Sequence, residues 1–410
     1  MAVTHSHALF SIAGLAILTV VLVDDAPQNA APRLADARAV VDAAAFASLQ
    51  EAFDALPAEG GAVRLPPGRF EIERPLRVHR DDVLIEGAGT STWIVNTVED
   101  GSPALVIEPP EDAASDAYLW RVTLRGFRLT GNEKSGHGIL ARRVNEIFID
   151  GITVSRHGGD GVRLDHCYED PRVSDSLITY NAGTGLHLLA CHDIVVSANQ
   201  FEENRDALRC IDGFNLCMSG NNLDDHLGDG VVIENTYGSV VAANMIEECR
   251  GRAIVLDRDC YGIALSANVI AHNAGGGIDL RDAWGSAISA NAFTISGGDA
   301  LRVGSGSGRI AVTGNAFSDS SIGDAKKKRA EDDRAAGGVV LEGATDVNLS
   351  GNIFSGLRPA GVRLEGVPSR RLLVTGNLLV DAERATTEAS DSIVEKNLEA
   401  QGDEGDGGDD

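Results

Sequence analysis

The sequence is poor in proline, in aromatic side chains and in basic charge. Only 12 of its 410 residues are Pro. That excludes a Pro-rich disordered chain, and 47 Gly with so little Pro exclude a collagen-like one. Aromatics make up 5%, so the core must be built from Val, Ile, Leu and Ala, and an apolar share of 43% is enough for a large one. Lys and Arg number 35 against 61 acids, a formal charge of −26. A nucleic-acid binder shows a basic face, so this balance argues against nucleic acid as a partner. Acids in such number also suit calcium.

Signatures of nucleotide and thiolate chemistry are missing as well. The six Cys include no C-x-x-C pair and no Cys/His zinc spacing, which argues against structural zinc and thioredoxin-type redox chemistry. No G-x-G-x-x-G follows a strand, and there is no P-loop. The one long apolar run, Ala8 to Val23, is short for a membrane span and the right size for a signal-peptide core. No Lys or Arg precedes it, and no clean A-x-A site follows. It is read as an export signal, with an uncleaved anchor as the alternative and a polar linker running to Asp36. The expected location is periplasmic, cell-surface or extracellular, with a membrane as partner only if the segment stays attached.

What is present is a repeat. From residue 138 onward a small residue is followed by two apolar positions flanking a variable one. Gly161-Val162-Arg163-Leu164, Gly185-Leu186-His187-Leu188 and Gly230-Val231-Val232-Ile233 are examples. The starts fall at 138, 161, 185, 207, 230, 253, 277, 300, 338 and 361. The steps are 22 to 24 residues, except for one that carries a 15-residue insertion. An Asn rides on the same period at 199, 244, 268, 291, 315, 352 and 377, with Asn221-Asn222 also in place.

A period of this length marks a solenoid. Short alternating strands with Gly or Asn at corners predict a parallel β-coil of three strands per turn. Leucine-rich repeats share the length but need a Leu and Asn spacing that is missing. Coils stacked about 4.8 Å apart would align the Asn residues in a hydrogen-bonded column. Asn at a corner also tolerates left-handed backbone.

These features resemble the right-handed parallel β-helix proteins of the pectate-lyase-like superfamily, over about residues 45 to 380. Ser48 to Leu56 looks like that family's capping helix. Gly60-Gly61-Ala62-Val63-Arg64-Leu65-Pro66-Pro67-Gly68-Arg69-Phe70 is similar to its first strand, and Val83 to Gly89 to its next coil. The expected fold is all-β, a right-handed parallel β-helix of about 23 residues per coil with a short N-terminal capping helix. Its expected limits are 37 to 385, with an insertion at about 321 to 337 holding Lys326 to Arg329. Residues 1 to 36 would be signal or anchor plus linker, and 386 to 410 an acidic disordered tail. The expected molecule is a monomer.

The resemblance implies a polysaccharide groove along the first strand of each coil, with an acidic polysaccharide as partner and lyase, hydrolase or epimerase chemistry. A non-catalytic glycan-binding or structural β-helix is the alternative. The G-H-G of polygalacturonases is matched at Gly136-His137-Gly138, without their N-T-D and D-D elements, and reads as an ordinary corner. The D-P-H-D of alginate epimerases is absent, and Glu169-Asp170-Pro171 does not replace it.

The repeat itself supplies candidates. Two residues after each start the outward column carries Arg163, His187, Arg209, Asp279 and Arg302, and an acid often precedes the start, as at Asp160, Asp206, Asp229 and Asp299. Glu234 and Asp257 should stack on adjacent coils with Arg281 next. Two carboxylates at that spacing suit an acid/base pair or calcium. The catalytic candidates are His187, Arg209, Asp257, Arg258 and Arg281. Arg163, Asp279 and a column of Tyr237, Tyr261 and Trp284 are candidates for holding sugar. Asp229, Glu234 and Asp257 are the candidate calcium ligands. Cys167 and Cys191 share one offset in neighbouring coils, as a disulfide or as two free thiols.

Overall fold

The structure, a computed structural model, describes residues 37–319, 336–385 and 389–401. The apolar run near the N-terminus, the basic block of the insertion and the end of the acidic tail lie outside the described residues. No helix among the described residues is long and apolar enough to cross a membrane.

The expected cap is present. Ser48 Oγ accepts the Glu51 N–H at 3.2 Å, and the Glu51 carboxylate accepts the Ala47 N–H at 3.3 Å. This reciprocal cap starts the helix Leu49–Asp54, which buries Leu49, Ala52 and Phe53 over the first coil. The strand Ala39–Asp42, which the sequence did not reveal, precedes it and pairs with Gly61–Arg64.

Each coil then runs through three short strands. In the coil that starts at Gly161 these are Val162–Asp165, Arg172–Ser174 and Leu177–Thr179. They belong to three parallel sheets, here sheets 1, 2 and 3, with 13, 17 and 14 strands among the described residues. Alternation sends Leu164, Val173 and Ile178 inward, where each is fully buried. One coil rests on the next, so the core is a continuous stack of Val, Ile and Leu rather than a single cluster. Ring stacking extends it toward the C-terminus, where Phe293, Phe317 and Phe354 lie 4.6 and 4.8 Å apart.

The corner between sheets 2 and 3 carries the Asn column. Asn244 donates both its backbone N–H and its Nδ2 to Asn268 Oδ1 at 3.0 Å, and Asn268 does the same to Asn291. The ladder runs from Asn199 through Asn221 to Asn377 and on to Asn397. Asn221 is the member; Asn222 lies one step outside and bonds Gln200. The expectation that Asn supplies the left-handed residue is corrected. Positive φ falls on the preceding residue, Ala198, Ala243, Ala267 or Ala290, which turns the chain so that each amide points inward.

The opposite corner, between sheets 3 and 1, holds a second column that the sequence did not reveal. Asn181 bonds Asn204 at 2.9 Å, and His157, His226 and Asn273 occupy the same place in other coils. The end of the solenoid also needs correction. Ile393–Val394 and Leu398–Ala400 pair onto sheets 2 and 3, so the coils continue past the expected boundary at 385. Gly337 opens a strand of sheet 1 rather than closing the insertion.

Candidate functional site

The small residue at each start is required by close packing. A Cβ added at Gly185 would meet the Ala207 carbonyl oxygen at 2.8 Å. The chain then enters sheet 1 with its variable residue facing out, which sets Arg163, His187 and Arg209 side by side on successive coils. The residue before the start forms a second column on the same edge, with His137 and Asp160 in adjacent coils.

These two columns converge on Asp160, whose side chain is largely buried. Its Oδ1 accepts the Thr184 N–H at 2.8 Å, and its Oδ2 lies 3.1 Å from His187 Nδ1 and 3.7 Å from an Arg163 nitrogen. Burial alone would raise the Asp160 pKa. The hydrogen bond from His187, with the two neighbouring imidazoles and the Thr184 N–H, outweighs it and holds the carboxyl below its usual value. Asp160 Oδ2 can only accept, so this shorter contact places a proton on His187 Nδ1 against the longer 3.4 Å approach of Arg163 Nη1, and Nε2 is left without a partner, screened from solvent.

His137 has the opposite polarity. Its Nδ1 accepts the Asp160 backbone N–H at 2.9 Å, a donor that cannot change role, so its proton sits on Nε2. Burial pushes its pKa down, opposed by Asp160 and reinforced by Arg163, so it is neutral at pH 7. One edge thus offers an imidazole acceptor and an imidazole donor on adjoining coils.

The next coils are an ion-pair network. Arg209 reaches Asp206 at 3.4 Å and Glu234 at 2.9 Å, and Arg258 takes the other Glu234 oxygen at 2.5 Å. Arg281 joins Asp279 at 2.9 Å and Asp257 at 3.5 Å. Glu234 and Asp257 are register partners, as expected. Each is occupied by a guanidinium rather than facing the other as a free pair. The charged edge is also interrupted, because Val232 and Val255 in the outward column are buried.

The expected calcium set does not gather. Asp229 Oδ1 accepts the Arg252 N–H at 2.7 Å, Glu234 is held by two arginines, and Asp257 is held by Arg281. The groups whose ligand atoms do converge among the described residues are Glu247, Glu248 and His272, and Asp224, Asp225 and Glu248, both on sheet 3.

The aromatic column forms, at the turn between sheets 1 and 2. His192, Phe214, Tyr237, Tyr261 and Trp284 pair in sequence, and Tyr168 extends the column. The rings lie on the outside, with Phe214 and Tyr261 exposed. Tyr168, His192, Phe214 and Tyr237 meet one another at centroid distances of 4.5 to 5.4 Å. Phe214 and Tyr237 stack at 20°, but His192 and Phe214 meet edge to face at 80°, so the rings do not form one continuous flat platform, and Tyr237 Oη is tied to Asp259 at 2.9 Å.

Three groups were not chosen as site residues from sequence. Asp160 and His137 emerge only when the pre-start column is read across coils against the outward column. Arg252 is the third. Its Nη1 donates to the Asp299 carbonyl at 3.4 Å, and no carboxylate lies within 4.0 Å of it among the described residues. The other arginines of this edge, from Arg163 to Arg363, are paired.

Three parallel sheets wound into one coil, with a single edge of acid, base and guanidinium groups, define a right-handed parallel β-helix. The chain belongs to the family described as the right handed beta helix region, which matches residues 83–215, 137–283, 173–317 and 259–402. Among solved structures it is similar to the A-module of the mannuronan C-5 epimerase AlgE6 of Azotobacter vinelandii. The two share 17% identity over 88% of this chain and 99% of that one, at a TM-score of 0.53. The catalytic unit of a GH87 alpha-1,3-glucanase from Streptomyces thermodiastaticus strain HF3-3 shares 16% identity, over 92% and 69%, at 0.51. Gene product 12 of bacteriophage phi29, in pre-mature form, gives a TM-score of 0.68 at 12% identity; the likeness covers 87% of this chain and 56% of that one. At these identities the likeness is one of fold. None of the curated proteins matches the sequence.

Proposed function

We propose that the outward face of sheet 1 is a glycan groove in which an exported enzyme acts on an acidic polysaccharide by proton transfer. The observation that carries this reading is the Asp160–His187 pair beside His137, with one imidazole set to accept and one to donate. His187 Nε2 would take the proton α to a sugar carboxylate. The neutral His137 would donate its Nε2–H as a hydrogen bond to the carboxylate as charge builds there, and the proton taken by His187 would pass to the leaving glycosidic oxygen in elimination. Asp160 is a positioning residue that fixes the His187 tautomer. Arg252, four coils after Asp160 and about 19 Å along the stack, has no carboxylate partner among the described residues and would hold the acid group of a sugar several units along the polymer. Polysaccharide as the partner class is supported by the epimerase module and the glucanase, which share the fold.

A non-catalytic glycan-binding role has one observation in its favour. His187 Nε2 is screened from solvent, so substrate reaches it only when the side chains above it move. Incubation with uronans and neutral glucans decides between the two, following unsaturated ends, reducing ends and C5 proton exchange, with and without calcium. The enzyme reading expects product or exchange that His187→Ala abolishes. Binding without either, by a protein whose His187→Ala variant binds equally well, rejects it.

A further inference from the structure

From the strand Thr92–Asn96 to the strand Met245–Glu247 the outward face of sheet 3 sorts its charges by sign along the stack; on the strand before them, Arg69 and Glu71 pair with each other. Toward the N-terminus stand Arg128 and Arg156. Arg128 lies 4.1 Å over the Trp93 ring and Arg156 5.3 Å over Tyr180, and neither has a carboxylate within 4.0 Å among the described residues. Three coils on the same face then carry two acids each: Glu202 and Glu203, Asp224 and Asp225, Glu247 and Glu248. The only ion pair described for these six joins Glu248 to His272 at 3.6 Å. Their mutual repulsion is unrelieved. Burial first, then Asp225, Glu247, Glu248 and Glu202, push the Asp224 carboxyl up to about 6. Between the basic and acidic stretches lies one strand without charge, Leu177–Thr179, where Leu177 and the following Tyr180 are 37% and 43% exposed.

We propose that this face is the interface of a homodimer, with two copies docked sheet 3 to sheet 3 around a two-fold axis along the strand Leu177–Thr179. Such an axis reverses the stack but keeps the position along each strand, so every residue meets the same strand position on the opposite side of the central coil. Arg156 and Glu203 both occupy the positive-φ corner just after their strands, one coil to either side of the centre. They would face each other across the interface, twice. Two coils out, the coil of Arg128 meets that of Asp224 and Asp225. Three coils out, Trp93 meets Met245. At the centre Leu177 meets Leu177 of the second copy.

The occupant follows from charge. A chain of −26 repels its own copies unless a face presents both signs, and an isologous contact needs a face complementary to itself. The nine strands from Gly68–Ile72 to Val269–Ala271, at about 4.8 Å per coil and about 13 Å of strand and corner, give a footprint of about 560 Å² on each copy. That is about 1,100 Å² in total, above the roughly 1,000 Å² of a specific interface. The proposal replaces the expectation of a monomer.

Sedimentation velocity on the full chain tests it, in EDTA, at about 20 μM protein and about 50 mM salt, where the Debye length exceeds 10 Å. The expected species has twice the chain mass and weakens as salt rises. Arg156→Glu and Leu177→Asp should each weaken association at least tenfold without lowering Tm, since both side chains face outward. Adding Glu203→Arg to Arg156→Glu should restore it. A monomer at low salt overturns the proposal, as does a dimer indifferent to both single variants. A dimer that forms only when calcium is added also overturns it, by making the acidic coils a cation site.

Discussion

His187 Nδ1 and Asp160 Oδ2 meet at 3.1 Å across adjacent coils, and neither residue could make that contact from its own coil. Asp160 sits before one start, and His187 sits two places after the next. The stacking of coils, not a local motif, builds the pair. If Asp160 fixes the imidazole tautomer, Asp160→Asn should reduce turnover on an acidic polysaccharide by on the order of 10²-fold or more. The amide oxygen can still accept the Thr184 N–H, so Tm should fall by a few degrees at most. Turnover equal to the native protein would show that Asp160 is only a structural cap for the next coil.

The fold was legible because stacking converts a 23-residue period into columns, and every column of one residue type shows in the sequence. Leu256, Val162 and Ile278 fall inward as the alternation requires. Mixed columns were not legible. The second corner ladder alternates Asn181 and Asn204 with His157, His226 and Cys249, so no single letter repeats. The last coil was missed because Glu383 stands where earlier coils have the small residue and Arg384 where they have the first apolar one. Site chemistry depends on contacts between columns, and a periodicity search treats each column alone. Glu234 illustrates this: its stacking on Asp257 was readable, but its capture by Arg209 was not.

The Asn ladder distinguishes two adjacent residues. Asn221 is buried; its Nδ2 bonds Asn244 and the Val196 carbonyl, and its Oδ1 takes two bonds from Asn199. Asn221→Ala leaves several buried donors and acceptors unpaired, at about 1–3 kcal/mol each, for a total loss of about 3 kcal/mol or more. Asn222→Ala removes one half-exposed bond to Gln200 and should cost under about 0.5 kcal/mol. Urea unfolding of the two variants checks this, and equal losses would contradict the ladder register.

Thiol reactivity follows from burial. Cys167 and Cys191, on neighbouring coils, are both free in the structure, and five of the six Cys are buried. Burial pushes Cys210 and Cys249 up to about 12 and Cys260 to about 11, and raises Cys191 well above its usual value. None of these four forms thiolate at pH 8. An aromatic disulfide reagent should titrate one thiol in the native protein, Cys217, and six after denaturation in urea. Four thiols after denaturation without reductant, or fewer, would reveal a bond that the structure does not contain.

Acid sensitivity should come from the second corner. His157 and His226 lie in the core, where burial lowers both to about 4 from 6.5. The backbone carbonyls of Leu129 and Asn204 oppose that shift without cancelling it. The unfolded chain therefore takes up two protons that the folded chain refuses. Stability from this source is complete above pH 6.5, falls as the pH drops from 6.5 toward 4, and loses no more below that. The loss is about 3 kcal/mol per histidine at most, from a shift of about 2.5 pKa units. Asn already occupies this column at 181, 204 and 273, so His226→Asn offers the corner a side chain it accommodates elsewhere. Urea midpoints at pH 7 and pH 5 should differ less for His226→Asn than for the native chain. An unchanged difference would give His226 no part in the acid sensitivity and leave it to His157.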